Sequence, residues 1–314
     1  RLGANAILGV SMAFAKACAK EKDLELYEYF GDLINSKNFT IPIPCLNIIN
    51  GGKHANNGID IQEFMIVLMG TQSFYGKIEM AGEIISALRE ILEEHNYSTN
   101  FGDEGGFAPH LSTNEEAIEL IEKAIDRSGH LGDEVKIALD VAASSFYESG
   151  FYNIKINGEE KSLTNIELIN WYEKLVNNYS IVSIEDPLAE EDWDGFKEIT
   201  KRLGDRIKII GDDITVTNTK LIKRVIEEHA VNGVLIKPNQ IGTVSETIEA
   251  IQMTKNAGWS AFISHRSGET LDTTIADLAV GLSCEFIKAG SITKAERMCK
   301  YERLIEVENK LNMI

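Results

Sequence analysis

VKIALD (135–140), IVSIED (181–186), IKIIGD (207–212), GVLIK (233–237), SAFISH (260–265) and EFIK (285–288) are six short apolar runs. Each reaches an ionisable residue: Asp140, Glu185, Asp212, Lys237, His265 and Lys288. Runs this short and this rich in β-branched residues read as buried strands. Amphipathic helical patterns lie between them. Successive end residues are 45, 27, 25, 28 and 23 positions apart. Apart from the first interval, which holds an extra hairpin around Phe151–Ile156, these intervals suit successive strand–helix units. Six or more such units predict an α/β fold with a closed parallel barrel. A doubly wound sheet is the alternative, but no glycine-rich dinucleotide turn follows a first strand to support it.

Upstream, residues 1–30 are alanine-rich and spaced for one apolar helical face. Gly31 and the polar run Asn35-Ser36-Lys37-Asn38 mark a linker. A buried segment begins at Ile41, a second strand spans 61–68, and helices are expected near 75–95 and 114–128. The chain opens at Arg1 without an initiator Met, so it is expected to start partway through a longer protein.

The chain has 314 residues, 44% hydrophobic and 25% charged, enough for one large α/β domain plus a piece of another. A net charge of −18 argues against direct nucleic-acid binding and against anionic membrane as the main partner. An anionic substrate would therefore require positive charge gathered locally. Cys18, Cys45, Cys284 and Cys299 have neither metal-finger nor redox spacing, which fits reduced thiols in a cytosol. No apolar run is long enough to span a bilayer. Arg1–Lys20 carries Lys16 and runs on into a charged helical pattern, so it reads as a domain helix and not as a signal peptide.

In a barrel the six strand tips share one mouth, where active sites sit. Any single charged tip is ordinarily the solvated start of a loop, but six in succession imply a site. Asp140, Glu185 and Asp212 would repel one another unless a cation lay between them, and all-oxygen ligation suits Mg²⁺ or Mn²⁺. Lys237 and Lys288 face that acidic arc. Neighbouring cations are expected to lower a lysine pKa, so that a neutral amine can act as base. Ser264-His265-Arg266-Ser267-Gly268-Glu269-Thr270 has the side chains and loop amides for a phosphate. Gly102-Asp103-Glu104-Gly105-Gly106, Gly51-Gly52-Lys53-His54 and Gln62-Glu63-Phe64-Met65 are ambiguous when read alone.

RLGANAILGVS, LNIINGGKHA, IQEFMI, GDEGGFAP, SIEDPLAEEDW, GDDITVTN, IKPNQIGT and SHRSGETLDTTIADLAVGL together closely resemble the enolase family, in the family's order and over nearly the whole chain. GIDIQEFMI is more similar to the bacterial type. The resemblance implies an enolase-type (β/α)8 barrel with irregular first units over residues 40–314, preceded by the end of an α+β capping domain, residues 1–39. It implies a cytoplasmic Mg²⁺-dependent lyase that interconverts 2-phosphoglycerate and phosphoenolpyruvate in glycolysis and gluconeogenesis. It also implies a homodimer or higher homo-oligomer, and secondary display at the cell surface.

By the same resemblance, Asp140, Glu185 and Asp212 hold Mg²⁺ and Lys237 is the base. Lys288 neutralises the substrate carboxylate. Glu104 protonates the departing hydroxyl with Glu63 beside it, His54 belongs to a mobile substrate loop, and Gln62 lies near the site. Arg266 and Ser267 bind the phosphate, with His265 adjacent.

Three departures stand out. Lys53 replaces a small residue, Lys294 stands where arginine is common, and no position supplies the N-terminal serine that helps hold a second Mg²⁺. Residues 1–314 alone are therefore expected to be poorly soluble and essentially inactive. Two alternatives remain: another superfamily enzyme such as a racemase or cycloisomerase, and a non-catalytic binding protein derived from the same ancestor.

Overall fold

The computed structural model describes residues 3–55, 57–70, 73–130 and 134–313. The chain starts with helices α1 (Ala4–Glu21) and α2 (Leu26–Leu33). Strands β1 (Ile43–Asn50) and β2 (Glu63–Leu68) follow, then two helices in succession, α3 (Phe74–Glu94) and α4 (Asn114–Arg127). After β3 (Val135–Asp140), a small sheet forms from β4 (Tyr147–Glu148), β5 (Phe151–Ile156) and β6 (Glu159–Leu163). Regular alternation begins at α5 (Asn165–Asn178) and β7 (Ile181–Glu185). It continues through α6 (Trp193–Leu203), β8 (Lys208–Gly211), α7 (Thr219–Glu228) and β9 (Gly233–Ile236). The short α8 (Pro238–Ile241), α9 (Val244–Asn256), β10 (Ser260–Ser264), α10 (Thr274–Gly281), β11 (Phe286–Lys288) and α11 (Ala295–Leu311) complete the chain.

Eight strands close a barrel in the order β1-β11-β10-β9-β8-β7-β3-β2. The barrel is not wholly parallel, as strand spacing alone predicts. β2 runs antiparallel to both β1 and β3. The reason is local: among the described residues no crossover helix of the kind a parallel return needs joins β1 to β2. The hairpin expected around Phe151–Ile156 is the middle strand of the three-stranded sheet β4-β5-β6.

Helix starts are written into the sequence. The side chains of Ser73, Thr113, Thr164, Asp192 and Thr243 each accept the backbone N–H three residues on, and Asn218 accepts that of Lys220. Each such cap contributes about 1 kcal/mol. The outer faces of the strands pack against these helices in one continuous core.

Inside the barrel, Cys45, Met65, Val67, Ala138, Ile210, Leu235, Phe262 and Phe286 form a separate apolar cluster, with the Phe262 and Phe286 rings stacked at 4.3 Å. The lumen is thus plugged, as barrel lumens are. This plug positions the site. Side chains alternate along a strand, so residues two positions apart share a face. Met65 and Glu63, Ala138 and Asp140, Ile210 and Asp212, Leu235 and Lys237, and Phe286 and Lys288 are such pairs. The ionisable tips therefore point into the mouth, directly above the plug.

Candidate active site

The mouth holds a cavity of about 250 Å³ whose walls include His54, Glu63, Glu104, Lys237, Arg266 and Lys288. Gln62, Asp140, Asp212, His265 and Ser267 also line it. The tips β3 and β7 place Asp140 opposite Glu185 in register. Lys288 Nζ bridges these two acids, donating to Asp140 Oδ2 at 2.8 Å and to Glu185 Oε1 and Oε2 at 3.1 and 2.9 Å. Glu63 Oε2 lies 3.3 Å from the same ammonium. Lys237 Nζ pairs with Asp212. Gln62 donates to Asp140 Oδ2 at 3.5 Å.

Burial would lower the Lys288 pKa, but Asp140, Glu185, Glu63 and Glu104 raise it well above the ordinary lysine value. Lys237 is also raised, since Asp212 and Glu185 outweigh its burial. This differs from the expectation of a lowered lysine pKa. The partner decides the sign, and here the partner of Lys237 is a carboxylate. Burial, then the charge of Asp140, pushes Glu185 well above the carboxylate range. Asp140 itself is lowered, because Lys288 overcomes its burial.

Loops fix the acids from outside. Asp186 accepts the backbone N–H groups of Asp212 and Asp213, both at 2.9 Å. Gln240 donates to Asp212 Oδ1 at 3.4 Å and accepts from Thr217 Oγ1 at 2.8 Å; Thr217 Oγ1 in turn accepts the Lys237 N–H at 2.9 Å. Ala142, Asp186, Val216 and Thr217 all have positive φ, between 41° and 55°. Such backbone is costly for non-glycine residues, most of all β-branched ones, and clusters at functional sites. Sequence reasoning quoted these strings but gave no role to Asp186, Thr217 or Gln240. Their contacts join segments distant in sequence and leave no periodic signal.

The opposite wall carries two buried carboxyls. Donor atoms of His54, Glu63 and Glu104 lie within 4.8 Å of one another. Glu104 Oε2 is 3.3 Å from Asn47 Nδ2 and 3.5 Å from His265 Nε2. Burial, reinforced by Glu104, raises the Glu63 pKa well above its usual value. Burial acts on Glu104 too, but His265 and Lys288 prevail and hold it below the carboxylate range. The pair thus keeps a proton preferentially on Glu63. The glycines around Glu104 are required by packing. A Cβ on Gly106 would stand 2.7 Å from Asn50 Oδ1, and one on Gly105, at φ +87°, 2.5 Å from Thr293 Oγ1.

The third wall is the loop after β10. Among the described residues, the amides of Arg266, Ser267 and Gly268 donate to no protein acceptor. Together with the exposed Arg266 and Ser267 side chains they offer an anion cradle. Arg266 is turned to Asn239 Oδ1 at 3.1 Å.

The chain matches the family described as Enolase, C-terminal TIM barrel domain, over residues 38–313. It belongs to the enolase C-terminal barrel family. The chain thus carries an enolase-superfamily barrel, closed and with β2 antiparallel to both β1 and β3. Members of that superfamily bind Mg²⁺, and the residues here fit such an ion. The donors at the mouth are carboxylate oxygens, which hard cations prefer. Donor atoms of Asp186, Asp212 and Asp213 also lie within 4.8 Å of one another. Asp186 is committed to backbone amides, and Asp212 and Asp213 both line the cavity. No helix among the described residues is long and apolar enough to cross a membrane.

Asp212→Asn keeps the shape and removes one charge. Mg²⁺ affinity by calorimetry is expected to fall at least ~10-fold, in line with the usual cost of disturbing a metal site. Unchanged affinity would remove Asp212 from the ligand set.

Proposed function

We propose that this barrel is the catalytic part of a phosphopyruvate hydratase, which converts 2-phosphoglycerate to phosphoenolpyruvate and water. The observation that carries the reading is that Lys237 and the Glu63–Glu104 pair line opposite sides of one cavity with the Arg266–Ser267 cradle on its rim. A dehydration by proton abstraction needs a base on one face, an acid at the leaving hydroxyl, and cations for the substrate's charge. The cavity has one group for each task.

In this reading Arg266, Ser267 and their loop amides hold the phosphate. Lys288 faces the substrate carboxylate, and Lys237 removes the proton from the adjacent carbon. That proton is barely acidic, because its loss adds charge to an already ionised carboxylate. Mg²⁺ on Asp140, Glu185 and Asp212 would supply Lewis-acid stabilisation of that charge. Lys237 must first be released from Asp212. With Asp212 holding a cation, the charge that raises the Lys237 pKa would be offset, which lowers that pKa and leaves more of the amine unprotonated and able to accept a proton at neutral pH. At the other wall, hydroxide is a poor leaving group. Glu104 delivers a proton to it, with Glu63 as the neighbouring proton store and His54 beside them.

Residues 1–39 are assigned to the end of a capping domain. Ile7, Val10 and Phe14 recur on one face of α1 and are 42%, 73% and 68% exposed, which supports a face made for burial elsewhere. The test is turnover of 2-phosphoglycerate by the intact protein, coupled to phosphoenolpyruvate detection, with and without Mg²⁺. Absent turnover alongside racemisation or cycloisomerisation of another carboxylate acid would overturn the reading.

A further inference from the structure

Arg297 is wholly buried on the first turn of α11, and its side chain runs across Gly290. Gly290 has φ +82°, and a Cβ there would lie 2.8 Å from Arg297 Cδ, so the glycine opens the path that the arginine takes. At its end the guanidinium meets the anion loop from behind. Nη1 faces His265 Nδ1 and donates to the Arg266 carbonyl at 2.6 Å, and Nη2 donates to the Ser267 carbonyl at 2.7 Å.

A guanidinium has donors only and keeps its charge in proteins. His265 Nδ1 must therefore present a lone pair to it. A hydrogen on Nδ1 would put two donors against each other in a buried place. Burial pushes the His265 pKa down to about 3, which agrees with a neutral ring. A neutral imidazole with an accepting Nδ1 carries its hydrogen on Nε2. That nitrogen is buried, has no hydrogen-bond partner in the protein, and lies 3.5 Å from Glu104 Oε2.

We propose that Arg297 is a positioning residue that locks His265 in the Nε2–H tautomer, so that a hydrogen and not a lone pair faces Glu104. The same segment fixes the distance between the two walls. Ser291 N–H donates to the Glu104 carbonyl at 3.0 Å, Thr293 Oγ1 to the Gly105 carbonyl at 2.8 Å, and Lys294 Nζ to the Asp103 carbonyl at 2.9 Å. One turn beyond Arg297, Lys300 Nζ holds the Thr270 carbonyl. Residues 291–300 thus grip the acid loop with one end and the anion loop with the other. In the opposite tautomer the Nε2 lone pair would face the Glu104 carboxylate and repel it. The kinetic consequence rests on the proposed dehydration, whereas the tautomer does not.

The tautomer is read by nitrogen NMR on intact protein labelled at histidine, with the His265 signals identified by their loss in His265→Gln. The expected wild-type result at neutral pH is a protonated Nε2 and an unprotonated Nδ1. An Nδ1–H or doubly protonated ring would overturn the proposal whether or not any variant folds. Arg297→Met removes the donor at similar length. It is expected to populate the Nδ1–H tautomer and to lower kcat for dehydration ~10–100-fold, as loss of supporting contacts typically does. Arg297→Lys keeps a donor and should retain the wild-type tautomer. A folded Met variant with an unchanged tautomer would also sink the idea. If the wild type shows the expected tautomer but no 2-phosphoglycerate turnover, the functional reading fails and the tautomer lock stands.

Discussion

Lys237→Ala is expected to abolish exchange of the substrate's α-proton with solvent, a loss of ~10²–10⁴ in rate, the usual cost of removing a general base. The structure adds a direction for the metal. Lys237 Nζ is the ammonium paired with Asp212, so removing it deletes a competitor for a proposed metal ligand. Mg²⁺ binding should survive and, if altered, tighten. A structural collapse of the mouth would lose both properties together, so calorimetry beside the exchange assay separates the two explanations. Near-normal exchange in the variant would move the base to another residue, with Lys288 the next to test.

Glu104→Gln is expected to separate the two halves of the reaction. The amide retains the size of a side chain that is only 3% exposed, and its oxygen can still face His265 Nε2. It cannot deliver the proton the leaving hydroxyl needs, so dehydration should fall ~10²–10⁴-fold while α-proton exchange at Lys237 persists. Since Glu63 has the higher proton affinity of the pair, Glu63→Gln should show the same separation. It should also disturb Lys288, which lies 3.3 Å from Glu63 Oε2. Equal loss of exchange and dehydration in Glu104→Gln would assign Glu104 to positioning instead.

The two experiments address residues that sequence reasoning had already singled out, yet their electrostatics were not legible there. Lys237 was expected to be lowered by neighbouring cations and is raised by Asp212. The identities of both groups are in the chain, but which one an ammonium reaches depends on strand ends that are 25 residues apart in sequence and adjacent in the barrel. The protonation of the Glu63–Glu104 pair follows the same logic. Burial, the facing His265 ring and the charge of Lys288 decide it, and those two side chains come from two further segments.

The sequence by itself determined the barrel and its chemical mouth. Apolar runs ending in Asp140, Glu185, Asp212, Lys237 and Lys288 specify strands by their period and length, and a residue two positions past a lumen residue has to reach the mouth. Capping side chains at Thr113, Thr164, Asp192 and Thr243 set helix starts through contacts only three residues long. Tertiary structure decided the pairing of β2 with β3, which closes across the whole α3–α4 connection. It also decided the supporting contacts: Asp186 on the Asp212 and Asp213 amides, Gln240 on Asp212, and Arg297 behind His265. Those contacts join segments distant in sequence, and each is selected by a partner that folding alone brings within hydrogen-bond reach.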